Sequence, residues 1–99
     1  MDLGHIVIPE KHPAFPHHFP DRPIVPGSIL LEMLLDLVAE NGFPVTSVKR
    51  CKFNGLVFPG TILEINIAER SESEWEVELL DKAVQVLSAT LTRELSVIE

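Results

Sequence analysis

The sequence predicts an α+β domain in which an antiparallel sheet wraps around one apolar helix. Three observations predict this class. Residues 27–40 form an almost continuously apolar stretch of helical length. Residues 74–80 and 84–95 alternate apolar and polar side chains, as half-buried strands do. The order is strand, long loop, buried helix and then a series of strands, which favours α+β architecture. With 99 residues, the chain is expected to form a single domain over residues 1–99.

The first elements are a short strand, a proline-rich loop and the helix. Residues 3–8 predict the strand. Residues 9–26 contain six prolines, which remove amide donors and fix φ, so we expect an ordered loop. The helix is predicted to begin near Gly27 or Ser28 and to end before Asn41-Gly42. Because its apolar residues lie on nearly every side, we expect it to be buried on most sides.

Four strands are predicted after the helix: residues 45–53, 62–70, 74–80 and 84–95. A turn after the first of them is expected at Asn54-Gly55 or at Pro59-Gly60. In residues 74–80 the apolar side chains oppose glutamates, so one face is expected to be buried and the other to contact water.

Composition and charge exclude several classes of function. The net charge of −7 argues against nucleic acid as a partner, because phosphate binding needs clustered Lys and Arg. Lys49, Arg50 and Lys52 form the only local basic cluster, with Arg22 as a possible neighbour. The single Cys51 excludes an intrachain disulfide and a cysteine-rich metal site. No signal peptide and no membrane-spanning stretch is evident, which predicts a soluble cytoplasmic protein without membrane contact.

Three carboxylates lie at helical spacing. Glu32, Asp36 and Glu40 are four residues apart, so they line one stripe of the helix. This stripe could simply face water, and the like charges would then cost about 0.2–0.5 kcal/mol per pair. Alternatively, a carboxyl among apolar neighbours could keep its proton and act as an acid. The sequence alone leaves both interpretations open.

A histidine and a helix start complete a possible acid–base site. His18 lies in the stiff proline-rich loop, where an imidazole could be held in place, although loop histidines are usually solvated. The nearby histidines match no common zinc spacing, and we expect neither a metal nor a cofactor. Gly27 opens the helix, where unpaired amides can stabilise negative charge developing on an oxygen. An ordinary helix start would have the same Pro-Gly sequence.

Two motifs resemble one family. Residues 18–32 read His-Phe-Pro-x-x-Pro-Ile-x-Pro-Gly-x-x-x-Leu-Glu, with the glutamate fourteen positions after the histidine. Residues 52–60 read Lys-Phe-x-x-x-Val-x-Pro-Gly. Both resemble the hot-dog-fold β-hydroxyacyl-[acyl-carrier-protein] dehydratases, the first at their active-site segment. The motifs cover about a third of the chain, and the order of elements agrees over the rest.

The resemblance implies a reaction and a role for each motif residue. His18 would remove the α-proton of a (3R)-3-hydroxyacyl thioester on acyl carrier protein, and Glu32 would protonate the departing hydroxyl to give the trans-2-enoyl thioester. The Gly27 amide would polarise the thioester carbonyl. In such enzymes the histidine and the glutamate come from opposite subunits, so a homodimer or a dimer of dimers is expected. Candidate substrate-binding residues are Phe15, Phe19, Pro26, Phe53 and Phe58. The basic cluster implied for carrier-protein docking is Arg22, Lys49, Arg50 and Lys52.

The chain also departs from the family pattern. His17 stands where a glycine is usual before the histidine, and Asp36 stands where a glutamine is usual after the glutamate. Leu56 and Thr61 replace a proline and an aspartate. These differences resemble the short stand-alone dehydratase-like proteins of polyene and polyketide pathways more than the housekeeping enzymes of fatty-acid synthesis. Two alternative functions stay open: a hot-dog acyl thioesterase, and a non-catalytic subunit that binds an acyl chain or a carrier protein.

Overall fold

The computed structural model describes residues 1–10 and 24–93. In these ranges it contains one helix and five strands, and the five strands form a single antiparallel sheet. The elements in chain order are β1 (Asp2–Val7), α1 (Gly27–Glu40), β2 (Ser47–Phe53), β3 (Ile62–Glu69), β4 (Glu74–Asp81) and β5 (Val84–Thr92). This architecture confirms the predicted α+β class and the predicted order of elements.

The strand order across the sheet is β1-β3-β4-β5-β2, with every neighbouring pair antiparallel. The strands β1 and β2 therefore form the two edges. We call the face that packs against α1 the inner face of the sheet and the opposite one the outer face. In β4, Val77 and Leu79 are buried on the inner face, whereas Glu76 and Glu78 lie on the outer face. The predicted alternation of this strand is confirmed.

The helix begins and ends where the sequence predicts. Pro26 precedes it with an extended ψ of 141°, and its carbonyl accepts hydrogen bonds from the amides of Ile29 and Leu30 at 3.0 and 3.2 Å. At the other end the Asn41 side-chain amide donates to the Leu37 carbonyl at 2.8 Å, and Gly42 follows with φ +86°. In the described ranges no helix has the length and apolar character needed to cross a bilayer.

The helix packs on the sheet along one stripe only. Leu30, Leu34 and Val38 are four residues apart and almost completely buried, and they belong to the same cluster as the inner-face residues of the strands. The remaining large apolar residues of α1 are only half-buried: Ile29, Leu31, Met33, Leu35 and Leu37. The expectation that the helix is buried on most sides is therefore wrong for the single chain. One sheet covers only one side of a helix, and here nothing in the described residues covers the other.

The observed strands differ from the predicted ones at their ends. The strand β2 begins at Ser47 rather than at residue 45, and a register shift lies between Val48 and Arg50. The strand β5 ends at Thr92, and residues 94–95 of the predicted strand lie outside the described residues. Before β3 the chain turns at Pro59-Gly60, where the Gly60 amide donates to the Ile8 carbonyl at 2.8 Å.

A tight turn between β4 and β5 adopts a backbone conformation that its residues disfavour. Lys82 and Ala83 connect the paired residues Asp81 and Val84, with φ values of +48° and +69°. Two-residue hairpins prefer left-handed conformations at both positions, which favour Asn-Gly because other side chains crowd the backbone there. The hairpin register therefore holds two residues in a conformation that raises the free energy of the folded state.

We expect the double substitution Lys82→Asn/Ala83→Gly to stabilise the protein, because Asn-Gly relieves this strain. The expected gain is about 0.5–1 kcal/mol in the free energy of unfolding, or a few degrees in melting temperature. Denaturant unfolding followed by circular dichroism measures it. The control Ala68→Gly, at the next-to-last residue of β3, should instead destabilise the fold. A double variant less stable than the parent would contradict the claim that Lys82 and Ala83 are strained in this turn.

Candidate active site

The start of α1 presents backbone amides beside an aromatic ring. Gly27 is the first helical residue, so its amide and that of Ser28 have no hydrogen-bond partner within the helix itself. No acidic side chain lies in the first turn. Such amides carry the positive end of the helix dipole and can stabilise a developing oxyanion.

The ring of Phe53 lies directly against Gly27. A Cβ atom on Gly27 would be 2.6–2.9 Å from three atoms of this ring, closer than real contacts allow. Phe53 is the last residue of β2 and is paired with Leu87 of β5. The next residue, Asn54, is held by a bond from its amide to the Val86 carbonyl at 2.8 Å. The absence of a side chain at position 27 therefore lets the end of β2 contact the helix start.

Phe53 is still 52% exposed, although it touches the helix. Its ring thus covers one side of the helix start while another part of the ring remains open to contact a ligand. Phe58 is exposed in the segment after β2, and its neighbour Val57 accepts a hydrogen bond from the Val25 amide at 2.8 Å. This bond ties the segment with Phe58 to the chain that leads into α1. The predicted substrate-binding residues that are described, Pro26, Phe53 and Phe58, all lie on elements that meet at the helix start.

Glu32 is exposed on the single chain. It lies about 200° around the helix from Leu30, so it faces away from the sheet. Along the helix axis it is about 7.5 Å beyond Gly27. Asp36 and Glu40 are exposed as well, so the stripe of three carboxylates faces outward, as one of the two interpretations held. Residues 1–10 and 24–93 of the same chain therefore do not bury Glu32. A carboxylic acid needs such burial to keep its proton.

Several predicted site residues cannot be placed. Phe15, His18, Phe19 and Arg22 lie outside the described residues. The structure therefore brings together Pro26, Gly27 and Phe53, and it places Glu32 about one and a half turns further along the same helix. The pairing of His18 with Glu32 stays a prediction.

The predicted basic cluster is divided between different surroundings. Lys49 lies at the register shift of β2 and forms an ion pair with Glu74 at 3.0 Å. Arg50 and Lys52 lie on the outer face of the sheet, opposite Thr90 and Ser88 of β5. They are therefore on the other side of the sheet from α1. Sequence reasoning placed these cations together but could not show which face they occupy, because the register shift decides that.

Cys51 lies on the inner side of β2, opposite the buried Ala89. Burial raises the pKa of the Cys51 thiol, so the thiol remains protonated at neutral pH. A protonated, half-buried thiol is a poor nucleophile, and Cys51 is therefore assigned to the packing of β2 rather than to the chemistry of the site.

The model of the ApeI-like family, described as ApeI dehydratase, matches residues 3–90. The chain belongs to the ApeI-like dehydratase family. The matched range includes Gly27, Glu32, Phe53 and the whole sheet except the first residue of β1 and the last two residues of β5.

Individual relatives are enzymes named 3-hydroxyacyl-[acyl-carrier-protein] dehydratase FabZ. The protein from Thermus thermophilus is 32% identical over 97 residues, which cover 83% of this chain and 68% of that protein. The protein from Nitrobacter hamburgensis is 32% identical over 81 residues, covering 66% of this chain and 52% of that protein. This ApeI-like chain thus spans between about half and two thirds of the length of these relatives.

A solved structure has the same fold. A chain of the dehydratase heterocomplex ApeI:P from Xenorhabdus doucetiae superimposes with a TM-score of 0.71 at 16% sequence identity. The match covers 89% of this chain and 81% of that chain. The expected hot-dog fold of this ApeI-like protein, a sheet wrapped around a central helix, is confirmed.

The contact between Gly27 and Phe53 yields a prediction. Gly27→Ala should displace the Phe53 ring and lower stability, whereas in a Phe53→Ala background the same change should raise stability because alanine favours the helix. The expected coupling energy between the two positions is about 1 kcal/mol, measured by a double-mutant cycle on chemical unfolding.

Gly55→Ala is the matched control for this cycle. A Cβ on Gly55 would meet Val86 at 3.4 Å, an ordinary contact, so no coupling with Phe53 is expected. Equal effects of Gly27→Ala in both backgrounds would refute the steric account of the helix start.

Proposed function

We propose that this chain dehydrates a (3R)-3-hydroxyacyl thioester on acyl carrier protein to the trans-2-enoyl thioester. The observation that carries the proposal is the helix start, where the Gly27 amide lies beside Phe53 and upstream of Glu32 on a fold of the ApeI-like dehydratase family. The named activity of the FabZ relatives supports the same reaction. We place this activity in the cytoplasm.

The reaction needs one base, one acid and one group that stabilises an enolate. In our proposal His18 removes a proton from the carbon next to the thioester carbonyl, and the electron pair forms the new carbon–carbon double bond. The hydroxyl on the neighbouring carbon leaves with the proton of Glu32, so that one water molecule is released. The Gly27 amide donates a hydrogen bond to the thioester oxygen while it carries negative charge. Phe53, with Phe58, Pro26, Phe15 and Phe19, would line the path of the acyl chain.

A second subunit is part of this proposal. Glu32 is exposed, and the half-buried Leu31 and Leu35 lie on one side of it along the helix. Covering this side of α1 with another copy would remove the apolar surface and the carboxyl of Glu32 from water, which favours the protonated form that an acid requires. We infer a homodimer in which His18 of one subunit acts with Glu32 of the other.

Turnover of a carrier-bound substrate tests the function. The full chain is incubated with 3-hydroxyacyl thioesters of several lengths on acyl carrier protein, and loss of one water from the acyl group is followed by mass spectrometry. We expect Glu32→Gln to lower the rate by about a hundred- to ten-thousand-fold, the range for a lost proton-transfer group. His18→Ala should have an effect of the same order.

Glu40→Gln is the matched control, because Glu40 is exposed two turns further along the same stripe and should not contact the substrate. Its rate should equal that of the parent. Undiminished turnover in Glu32→Gln would contradict the proposed acid. Release of free carrier thiol in place of the enoyl product would identify a thioesterase instead, and binding without any turnover would identify a non-catalytic subunit.

A further inference from the structure

The outer face of the sheet carries a groove of about 410 Å³. The short side chains of Ser88 and Thr90 in β5 form its floor. Longer side chains stand on both sides of this floor. The groove is on the opposite side of the sheet from α1, so it is separate from the site proposed for dehydration.

Two rows of residues cross this groove in the same order. In one row Arg50 of β2 is paired with Thr90 of β5, and Thr90 is paired with Glu76 of β4. In the other row, Lys52 of β2 lies opposite Ser88, which lies opposite Glu78 of β4. Each row therefore runs from a cation through a hydroxyl to a carboxylate. Neighbouring strands are about 4.8 Å apart, so cation and carboxylate are about 10 Å apart at their backbones.

The carboxylates are held in place, whereas Arg50 and Lys52 are not paired with any acid in the described part of the chain. Glu76 accepts a hydrogen bond from Arg70 at 2.5 Å. Glu78 accepts one from Gln85 at 2.7 Å, and Gln85 in turn accepts one from Asn54. The ion pairs found in residues 1–10 and 24–93 include neither Arg50 nor Lys52.

This arrangement of charges is complementary to itself. Consider two copies whose outer faces meet about a two-fold axis that runs along β5. The rotation places β2 of one copy over β4 of the other without moving any residue along the strand direction. Arg50 then faces Glu76 of the second copy, Lys52 faces Glu78, and both contacts occur twice. The short residues of β5 meet at the centre, and packed sheets are about 10 Å apart, a gap that Arg and Lys side chains can span.

We propose that the outer face is an interface between two copies of this chain, held by Arg50–Glu76 and Lys52–Glu78 pairs across the two-fold axis. Two isologous copies bring each cation to a carboxylate at the same height. An acidic partner, such as a carrier protein, would meet Glu76 and Glu78 as well as the cations of β2. Because the helix side stays free, this contact can join two of the dimers proposed above into a dimer of dimers.

The molecular mass in solution tests this interface without reference to activity. Sedimentation velocity of the full chain at low salt should show an assembly whose mass is halved in Arg50→Glu/Lys52→Glu. Adding Glu76→Lys and Glu78→Lys to that variant, together with Arg70→Glu to preserve the ion pair inside each copy, inverts every pair, and the original mass should return. Single substitutions should weaken the association by about tenfold or more, and added salt should weaken it further in the parent.

Lys82→Glu is the matched control, because it changes the net charge as Lys52→Glu does but lies in the turn between β4 and β5. It should leave the mass unchanged, and the circular dichroism spectra of all variants should agree. An unchanged mass in Arg50→Glu/Lys52→Glu, or no recovery in the inverted variant, would overturn the proposal. The proposal would also be overturned if Arg50→Glu/Lys52→Glu lost binding to the carrier protein while its own mass in solution stayed the same, because the groove would then hold the carrier. If the mass of Arg50→Glu/Lys52→Glu equals that of the parent while the parent still dehydrates its substrate, the proposed interface fails but the proposed reaction stands.

Discussion

The packing of α1 along a single stripe is the constraint on which the rest of this structure depends. Leu30, Leu34 and Val38 fix the helix on the inner face of the sheet, and their spacing leaves no freedom to rotate it without exposing them. Glu32 consequently faces outward. The same packing places Gly27 beside the end of β2, where Phe53 occupies the space that a side chain would fill. One apolar stripe thus positions both the carboxyl and the amides of the candidate site.

This arrangement gives the two sides of the domain different chemistry. The side of α1 that faces away from the sheet combines half-buried leucines with the exposed carboxylates of Glu32, Asp36 and Glu40, and it is the side that we assign to the substrate and the second subunit. The outer face of the sheet combines cations and carboxylates in ordered rows, which suits a reversible polar contact. Since the sheet separates the two surfaces, association through one does not obstruct the other. A small domain can in this way gain buried surface twice, which matters because a core formed by so short a chain has little stability to spare.

The sequence predicted most of the fold because its signals were local. Pro26-Gly27 and Asn41-Gly42 marked the ends of α1, and the alternation around Trp75, Val77 and Leu79 marked β4. It did not predict the turn at Lys82-Ala83, where neither residue is a usual turn former, since pairing between β4 and β5 imposes that conformation. Nor could it predict the faces of Arg50 and Lys52 or the contact between Gly27 and Phe53, because these depend on a register shift and on residues far apart in the chain. The motif supplied the candidate residues of the site, but the exposure of Glu32 follows only from how the helix packs.

Subunit complementation tests most directly whether an acid on α1 of one subunit acts with a base from another. The inactive variants His18→Ala and Glu32→Gln are produced separately, mixed under conditions that allow subunit exchange, and assayed together. If the site is shared, random pairing makes half of the dimers mixed, each with one intact site, and activity should return to about a quarter of the parent rate. If exchange is complete and the mixture stays as inactive as its components while the parent protein turns over, the shared site is contradicted.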